Sequence, residues 1–222
     1  MNNSKEYEKT IPVTVFTSSK KRTLSKTISL DKDGNIQKAT GGQLTAGRIK
    51  IKKFTNVTEV ATFMSGLKSN QAVSFGIPKE KAEIVLSQKR LKTYTGDEMA
   101  ISRTNDNFSW PEGMGVLTLD YDPHPGEEPM TSGEFVSTLR GVVPELEHVT
   151  IAVKPSTSSC IYQGKKEVSG IKGLHAFMVC GDASRIPEIG KLIYDRLWLA
   201  GYGYIRMQEA AICSKEVLSI QP

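Results

Sequence analysis

Two aspartates at the end of one apolar run have the spacing that most clearly predicts chemistry in this chain. The run from Val116 to Leu119 has the composition of a buried β-strand, and Pro123 ends it because proline cannot donate a ladder hydrogen bond. Side chains alternate along a strand, so Asp120 and Asp122 face one side with backbones about 6.7 Å apart. Two carboxylates at this spacing repel, and a shared divalent cation would hold both ionised. The alternative is that they form only the polar end of a strand that opens into a turn.

A second candidate site is the run from Lys154 to Ser159, which directly follows the β-branched segment 149–153. Lys154, Ser156 and Ser158 supply one ammonium group and two hydroxyls, which together with backbone amides can bind an oligophosphate. The chain has no G-x-x-x-x-G-K-[ST] motif, so this run is not a Walker loop. The alternative is a serine-rich loop without a ligand.

A single histidine lies in a third predicted strand, within the glycine-bounded segment 170–179. Alternation places His175 on the face opposite to Leu174. A lone histidine in an apolar strand can be a core residue. His175 is nevertheless a candidate site residue, because the acids and the lysine–serine run end the two preceding predicted strands. Arg103, upstream of the acids, is a candidate phosphate ligand or a surface ion-pair partner.

Basic residues cluster near the N-terminus. If the clusters share a face they form a phosphate-binding strip, and otherwise they belong to a solvated surface. The residues are Lys20, Lys21, Arg22, Lys26, Arg48, Lys50, Lys52 and Lys53.

Hydrophobic spacing and turn residues predict the elements that position these side chains. In the first half, the patterns predict a strand at 13–16, a hairpin with its turn at 31–35, a helix capped by Asn56 and a strand at 71–76. From the acids onward, the order is strand, helix, strand, loop, strand, helix and strand. Caps are predicted at Thr131 for the first of these helices and at Asp182 or Ser184 for the second, which ends at Gly201, and a terminal hairpin is predicted at 204–206 and 217–220.

Composition restricts the class of protein. The 222 residues suit one large domain or two small modules, and 29 Lys and Arg against 24 Asp and Glu give a net charge of +5, which suits a polyanionic partner or a mixed-charge surface. The three widely spaced cysteines include no C-x-x-C pair, so they suggest neither a disulfide framework nor a cysteine zinc site. No apolar run approaches membrane-spanning length, and we expect a soluble cytoplasmic protein without membrane contact.

The motifs and their order resemble the primase–polymerases of the archaeo-eukaryotic primase superfamily, in the form found in phage and plasmid replication proteins. The first motif of that family, an apolar strand ending in acid, any residue, acid, is similar to Leu119-Asp120-Tyr121-Asp122. Its second motif is similar to Gly173-Leu174-His175, although the family usually has serine in place of Gly173. The run from Lys154 to Ser159 and the segment 197–203 also resemble family segments, and the resemblance is specific between residues 103 and 203.

The resemblance implies an α/β (α+β) fold, with an RRM-like catalytic core over 101–222 and an N-terminal α/β module over 1–100. It implies a nucleotidyltransferase that makes or extends strands on a single-stranded DNA template from nucleoside triphosphates, with a replicative helicase as a further partner. Asp120 and Asp122 would bind Mg²⁺ or Mn²⁺. The triphosphate would be held by Lys154, Ser156, Ser158 and His175, with His175 counted as catalytic but not as a general base, and Arg103 would contact a nucleotide or template phosphate.

The chain departs from this family at its third motif, where another acid is expected on a later strand. The segment 217–222 has no acid, and Glu209 and Glu216 lie out of pattern. The acid is therefore substituted, supplied by Glu216 in an altered register, or located beyond residue 222.

Two other functions stay open. A protein that keeps the fold and binds single-stranded DNA or nucleotide without catalysis, as an accessory of replication or defence, agrees with the missing third acid. A glycosyltransferase would use the two aspartates to bind a sugar nucleotide through manganese, but the chain shows no early nucleotide-binding βαβ half.

Overall fold

The structure is a computed structural model that describes residues 9–20, 23–123 and 126–203. The fold is mixed α/β, and the described part contains several small sheets and four α-helices. The chain's described residues divide into two compact units, of which the first comprises those up to 116 together with 181–183, and the second those of 117–180 together with 184–203. The predicted terminal hairpin, at 204–206 and 217–220, lies outside the described residues.

A five-stranded sheet organises the first unit. The unit contains β1 (Ile11–Ser18), β2 (Thr27–Leu30), β3 (Ile36–Ala39), β4 (Ala46–Phe54), α1 (Val57–Ser65), β5 (Gln71–Ser74), β6 (Ile77–Pro78), β7 (Ile84–Leu86), α2 (Gln88–Leu91), β8 (Ala100–Ser102) and β9 (Phe108–Ser109). The sheet has the order β5-β1-β4-β7-β8, and only the pair β7–β8 is parallel. β1 is buried because its apolar side chains, including the fully buried Ile11, Val13 and Phe16, form the centre of this unit's core.

Turn and capping residues of the first unit form the predicted structures. The predicted hairpin is confirmed as β2 and β3, which pair across a turn where Asp31 accepts hydrogen bonds from the backbone N–H of Asp33 and Asn35. The cap of α1 is also confirmed, since the Asn56 side chain accepts a hydrogen bond from the Glu59 backbone N–H at 2.9 Å.

The second unit combines a three-stranded sheet with two long helices. Its elements are the greater part of β10 (Gly115–Tyr121), then α3 (Ser132–Val142), β11 (Ala152–Pro155), β12 (Ile161–Gln163), β13 (Lys166–Ser169), β14 (Leu174–Cys180) and α4 (Ile186–Leu199). The sheet order is β10-β14-β11, so β14 is the central strand, and β12 and β13 form a separate hairpin. Its buried core draws on both sheet and helices and includes Leu117, Leu119, Phe135, Leu139, Leu174, Ala176, Met178, Ile186 and Ile193.

The helices of the second unit begin and end close to their predicted residues. Thr131 and Glu134 form the predicted capping box of α3. The N-cap position of α4 is Arg185 instead of Asp182 or Ser184, because a 3₁₀ turn, Ala183–Arg185, precedes the helix. Gly201 ends α4 as predicted, in a left-handed conformation with φ of 86° that favours glycine.

The predicted strand at 149–153 begins later than its β-branched residues suggested. Val149 belongs to a turn, because its N–H donates to Leu146 O and its own carbonyl accepts from the Arg140 guanidinium. Pairing with β14 starts at Ala152 and continues to Pro155. Lys154, expected in a loop after the strand, is therefore part of the strand itself.

No helix in the described ranges, which leave out 1–8, 21–22, 124–125 and 204–222, is both long and apolar enough to cross a membrane.

Candidate functional site

Three side chains on adjacent strands form a line across the sheet of the second unit, which we call the histidine row: Asp120, His175 and Lys154. His175 Nδ1 lies 2.9 Å from Asp120 Oδ1, so the imidazole donates a hydrogen bond to the carboxylate. On the other side, Lys154 is the direct cross-strand partner of His175 in the β11–β14 pairing. The sheet order, with β14 in the middle, is what places an acid, an imidazole and an amine side by side.

The charge state of His175 follows from its neighbours. The hydrogen bond to Asp120 raises the pKa of His175 above its ordinary value of 6.5, partial burial opposes this rise, and the charges of Asp120 and Asp122 add to it. The positive charge of Lys154 acts in the other direction. The net effect shifts the equilibrium towards the imidazolium form, which would donate from Nδ1 to Asp120 and keep a second N–H at Nε2.

A second line of residues, which we call the glycine row, runs beside the first and consists of Asp122, Gly173 and Ser156. A Cβ atom placed on Gly173 would lie 2.8 Å from Asp122 Oδ1 and 3.4 Å from Ser156 Oγ. The backbone N–H of Ser156 donates to Gly173 O at 2.9 Å. Asp122 and Ser156 therefore approach each other over a residue that has no side chain.

The glycine row leaves little space for a side chain at position 173. A serine at position 173 would bring its Cβ to 2.8 Å from the Asp122 carboxylate and to 3.0 Å from the backbone oxygen of Tyr121. Contacts this short require one of the groups to move. In this chain the space that a serine would fill is occupied by the carboxylate of Asp122.

The serine turn, residues 156–159, is held to the start of β14 by its last residue. Ser159 is only 7% exposed, and its Oγ accepts hydrogen bonds from the backbone N–H of Lys172 at 2.8 Å and of Gly173 at 3.2 Å. The same hydroxyl lies 2.9 Å from Ser156 Oγ. Ser158 Oγ lies 3.4 Å from Ser156 Oγ, so the hydroxyls of the turn form one cluster.

Both aspartates are accessible to a ligand. The side chain of Asp120 is 46% exposed although it bonds to His175, and Asp122 is exposed as well. Carboxylate oxygens are ligands that Mg²⁺ and Mn²⁺ favour, so these two residues fit a divalent cation as two of its protein ligands. No group of three His, Cys, Asp or Glu side chains suited to a metal occurs in the described part of the chain. Glu209 and Glu216, considered as the third acid, lie outside that part.

Arg103 and the basic clusters belong to the first unit. Arg103 follows β8 and is exposed, and its contact with a phosphate stays a prediction. Arg48, Lys50 and Lys52 share one face of β4, but Arg48 forms ion pairs with Glu83 and Glu98. Lys52 lies over the ring of Phe63, 4.6 Å from its centroid. Because these side chains are partly engaged within the protein, the phosphate-binding strip also stays a prediction; Lys21 and Arg22 lie outside the described residues.

The sequence did not reveal an apolar pocket next to the acids. Asp120 and Asp122 line a pocket of about 550 Å³ whose other walls are largely apolar side chains of β10, α3 and α4. Its aromatic residues include Tyr194, Trp198 and Tyr202, which recur every fourth residue, and this spacing is the signal that would have identified them.

The roles of Ser159 and Gly173 were missed for a different reason. Both residues belong to sequence motifs that were identified as candidates, but their contacts join segments that are 14 residues apart, and no local pattern indicates these contacts.

Comparisons of the chain with protein-family models, with curated proteins and with solved structures found no match. The function is therefore inferred from the geometry of the two rows.

Proposed function

We propose that this protein is a nucleotidyltransferase of the primase–polymerase type, which adds nucleotides from nucleoside triphosphates to a strand on a single-stranded DNA template. The observation that supports this best is the adjacency of the histidine row and the glycine row. The two acids lie next to the imidazole of His175, the strand that carries Lys154 and the hydroxyl cluster of the serine turn. A metal-complexed polyphosphate needs this combination of charges.

The order of elements in the second unit also supports the proposal. Strand β10, helix α3, strand β11, strand β14 and helix α4 follow one another along the chain, with the β12–β13 hairpin inserted between β11 and β14. The first and third of the main strands are neighbours, with the second strand on the far side of the third, as in an RRM-like β-α-β-β-α-β core. The fourth strand of such a core would come from residues after 203, outside the described part.

The two acids are the residues that would hold Mg²⁺ or Mn²⁺. When bound, two such ions would activate the attacking 3′-hydroxyl and stabilise the pyrophosphate leaving group. The hydrogen bond from His175 fixes the orientation of the Asp120 carboxylate, while the second oxygen of that carboxylate is not used by this bond. Asp122 Oδ1 lies over Gly173, 2.8 Å from where a Cβ of that residue would be.

The remaining residues would bind the triphosphate. In its imidazolium form, towards which its raised pKa shifts it, His175 has a second N–H that would donate a hydrogen bond to a phosphate oxygen, as a charged donor and not as a general base. Ser156 and Ser158 would donate from their hydroxyls, and the ammonium group of Lys154 would add positive charge beside them. The positive groups offset the charge of a tetra-anionic ligand that the two aspartates alone would repel.

A strand-synthesis assay tests this function. Purified protein, a primed or unprimed single-stranded DNA template, labelled nucleoside triphosphates and either Mg²⁺ or Mn²⁺ should give labelled products. Asp120→Asn and Asp122→Asn should abolish the product, because each loses a cation ligand with little change in shape. Asp106→Asn, which changes an exposed aspartate of the first unit, is the matched control and should retain activity.

The absence of product with wild-type protein in both metals would overturn the proposal. Salt-dependent binding of single-stranded DNA by that inactive protein, unchanged in Asp120→Asn, would favour the accessory without catalysis. Manganese-dependent binding of a sugar nucleotide in preference to a nucleoside triphosphate would favour the glycosyltransferase instead.

A further inference from the structure

The hydroxyl of Ser159 has a hydrogen-bond arrangement that determines the direction of its single proton. A serine hydroxyl has two acceptor lone pairs and one donor proton. The backbone N–H groups of Lys172 and Gly173 point at this oxygen and occupy both lone pairs. The proton is therefore left for one of two acceptors, Gly173 O at 3.1 Å or Ser156 Oγ at 2.9 Å.

In the 2.9 Å contact with Ser159, Ser156 Oγ can only be the acceptor, because both lone pairs of Ser159 are occupied. Gly173 O, which also accepts a hydrogen bond from the Ser156 backbone N–H at 2.9 Å, is the other acceptor of the Ser159 proton and lies farther from it, at 3.1 Å. A hydroxyl that accepts from Ser159 keeps its own proton for a different partner. The Ser156 Oγ lies 3.4 Å from the place where a Cβ of Gly173 would be, and Asp122 Oδ1 borders the same place at 2.8 Å.

We propose that Gly173 and Ser159 are positioning residues of the nucleotide site. Gly173 leaves open the space into which the Asp122 carboxylate extends, and Ser159 orients Ser156 so that the Ser156 hydroxyl proton is directed away from Ser159. The ligand is a polyphosphate complexed to a divalent cation, and this ligand class rests on the proposed function. Asp122 would bind the cation, and the Ser156 hydroxyl would donate to a phosphate oxygen. Neither positioning residue touches the ligand.

The glycine is tested by adding a single methyl group. Gly173→Ala should weaken the binding of Mn²⁺, measured by calorimetry with MnCl₂ alone, by about 10- to 100-fold, as is usual when the support of a metal ligand is disturbed. Gly170→Ala is the matched control, because a Cβ there meets only the end of the Glu167 side chain, at 3.4 Å. Equal Mn²⁺ affinity in Gly173→Ala and Gly170→Ala would overturn the role of Gly173.

A second variant guards against loss of folding. If Gly173→Ala alone fails to fold, Gly173→Ala in the Asp122→Ala background removes the carboxylate at 2.8 Å and should recover a cooperative thermal transition. Failure to recover would assign the damage to the backbone oxygen of Tyr121, at 3.0 Å, and would overturn the proposed relationship with Asp122.

The role of Ser159 is tested by a double-mutant cycle. Ser156→Ala and Ser159→Ala should each weaken the binding of a non-hydrolysable nucleoside triphosphate with Mn²⁺, and the double variant should lose no more than Ser156→Ala does, because Ser159 acts through Ser156. Thr157→Ala, an exposed residue of the same turn, is the control. Losses that simply add would overturn the proposal.

One measurement does not depend on the ligand. In Ser159→Ala the amide protons of Lys172 and Gly173 lose their acceptor, so their hydrogen exchange should become faster than in wild type and in Thr157→Ala. If wild-type protein binds neither Mn²⁺ nor nucleotide, the proposed function fails while this measurement still tests the positioning. Unchanged exchange would overturn the role of Ser159 whatever the function is.

Discussion

His175 donates a hydrogen bond from Nδ1 to Asp120 Oδ1 over 2.9 Å, which joins the central strand β14 to the end of β10. This contact is the largest cause of the raised pKa of His175, ahead of the opposing effect of its partial burial. The charge of the imidazole and the orientation of the first aspartate therefore depend on each other.

Replacing the carboxylate should lower the pKa of the histidine. Asp120→Asn keeps the size of the side chain but removes the negative charge, so the pKa of His175 should fall relative to wild type. This pKa is measured by NMR from the pH titration of the His175 ring protons, whose signals are assigned by their absence in His175→Gln. Asp122→Asn should have a smaller effect in the same direction, because Asp122 acts only through its charge. A pKa that stays the same in Asp120→Asn would contradict the hydrogen bond.

The same contact should make stability depend on pH. Because the folded-state pKa of His175 is raised, its contribution to the free energy of unfolding is fully present below the unfolded-state value, 6.5, and is lost as pH rises through the folded-state pKa. The difference in melting temperature between wild type and His175→Gln should therefore be larger at pH 5.5 than at pH 9. A difference that grows towards pH 9 would show that the neutral imidazole is the stabilised form.

A second ion pair should respond to acid. Arg196 on α4 makes two hydrogen bonds, at 2.6 and 2.9 Å, to Glu145 in the 3₁₀ turn after α3, and they lower the pKa of Glu145 to about 2. A lowered carboxyl pKa stabilises the fold above the unfolded-state value, 4.5, and this stabilisation is lost as pH falls towards 2.

Arg196→Gln should therefore lower the melting temperature slightly at pH 7, since the pair is exposed, and the difference from wild type should shrink as the pH approaches 2. Arg185→Gln, which removes a pair within one segment of chain, is a suitable comparison. A difference that is constant with pH would mean that Arg196 acts by packing and not by charge.

Divalent cations should stabilise the wild-type protein through the acid pair. Saturating Mn²⁺ relieves the repulsion between Asp120 and Asp122, so the melting temperature should rise, by an amount that corresponds to about 2.7 kcal/mol at a hundred times the Kd. EDTA should reverse the shift, and both Asp120→Asn and Asp122→Asn should reduce it, whereas Asp106→Asn should not. An equal shift in all four proteins would place the cation elsewhere.

How much of the site the sequence could predict depends on the range of the interaction concerned. Asp120 contacts His175 of β14, and Asp122 lies against Gly173, the residue before β14, so the two acids face one side as alternation along the chain predicts. The caps at Asn56 and Thr131 and the end of α4 at Gly201 were also predictable, because each depends on atoms within a few residues.

Register and sheet order could not be predicted in this way. Five β-branched or apolar residues suggested a strand ending at 153, but hydrogen bonds to Arg140 and Leu146 keep Val149 in a turn, and the strand extends through Lys154. The pairing with β14 decides where β11 begins and ends, and such pairing joins residues that are distant in the chain.

The sequence by itself determined which side chains carry the chemistry and the direction that each takes along its own strand, since these follow from residue type and from the period of a β-strand. Only the tertiary structure decided that β14 lies between the other two strands, so that Asp120 meets His175 and Asp122 meets Gly173. The physical reason is that hydrogen bonds between strands and the burial of Ser159 are collective properties of the folded sheet, which no single segment of the chain specifies.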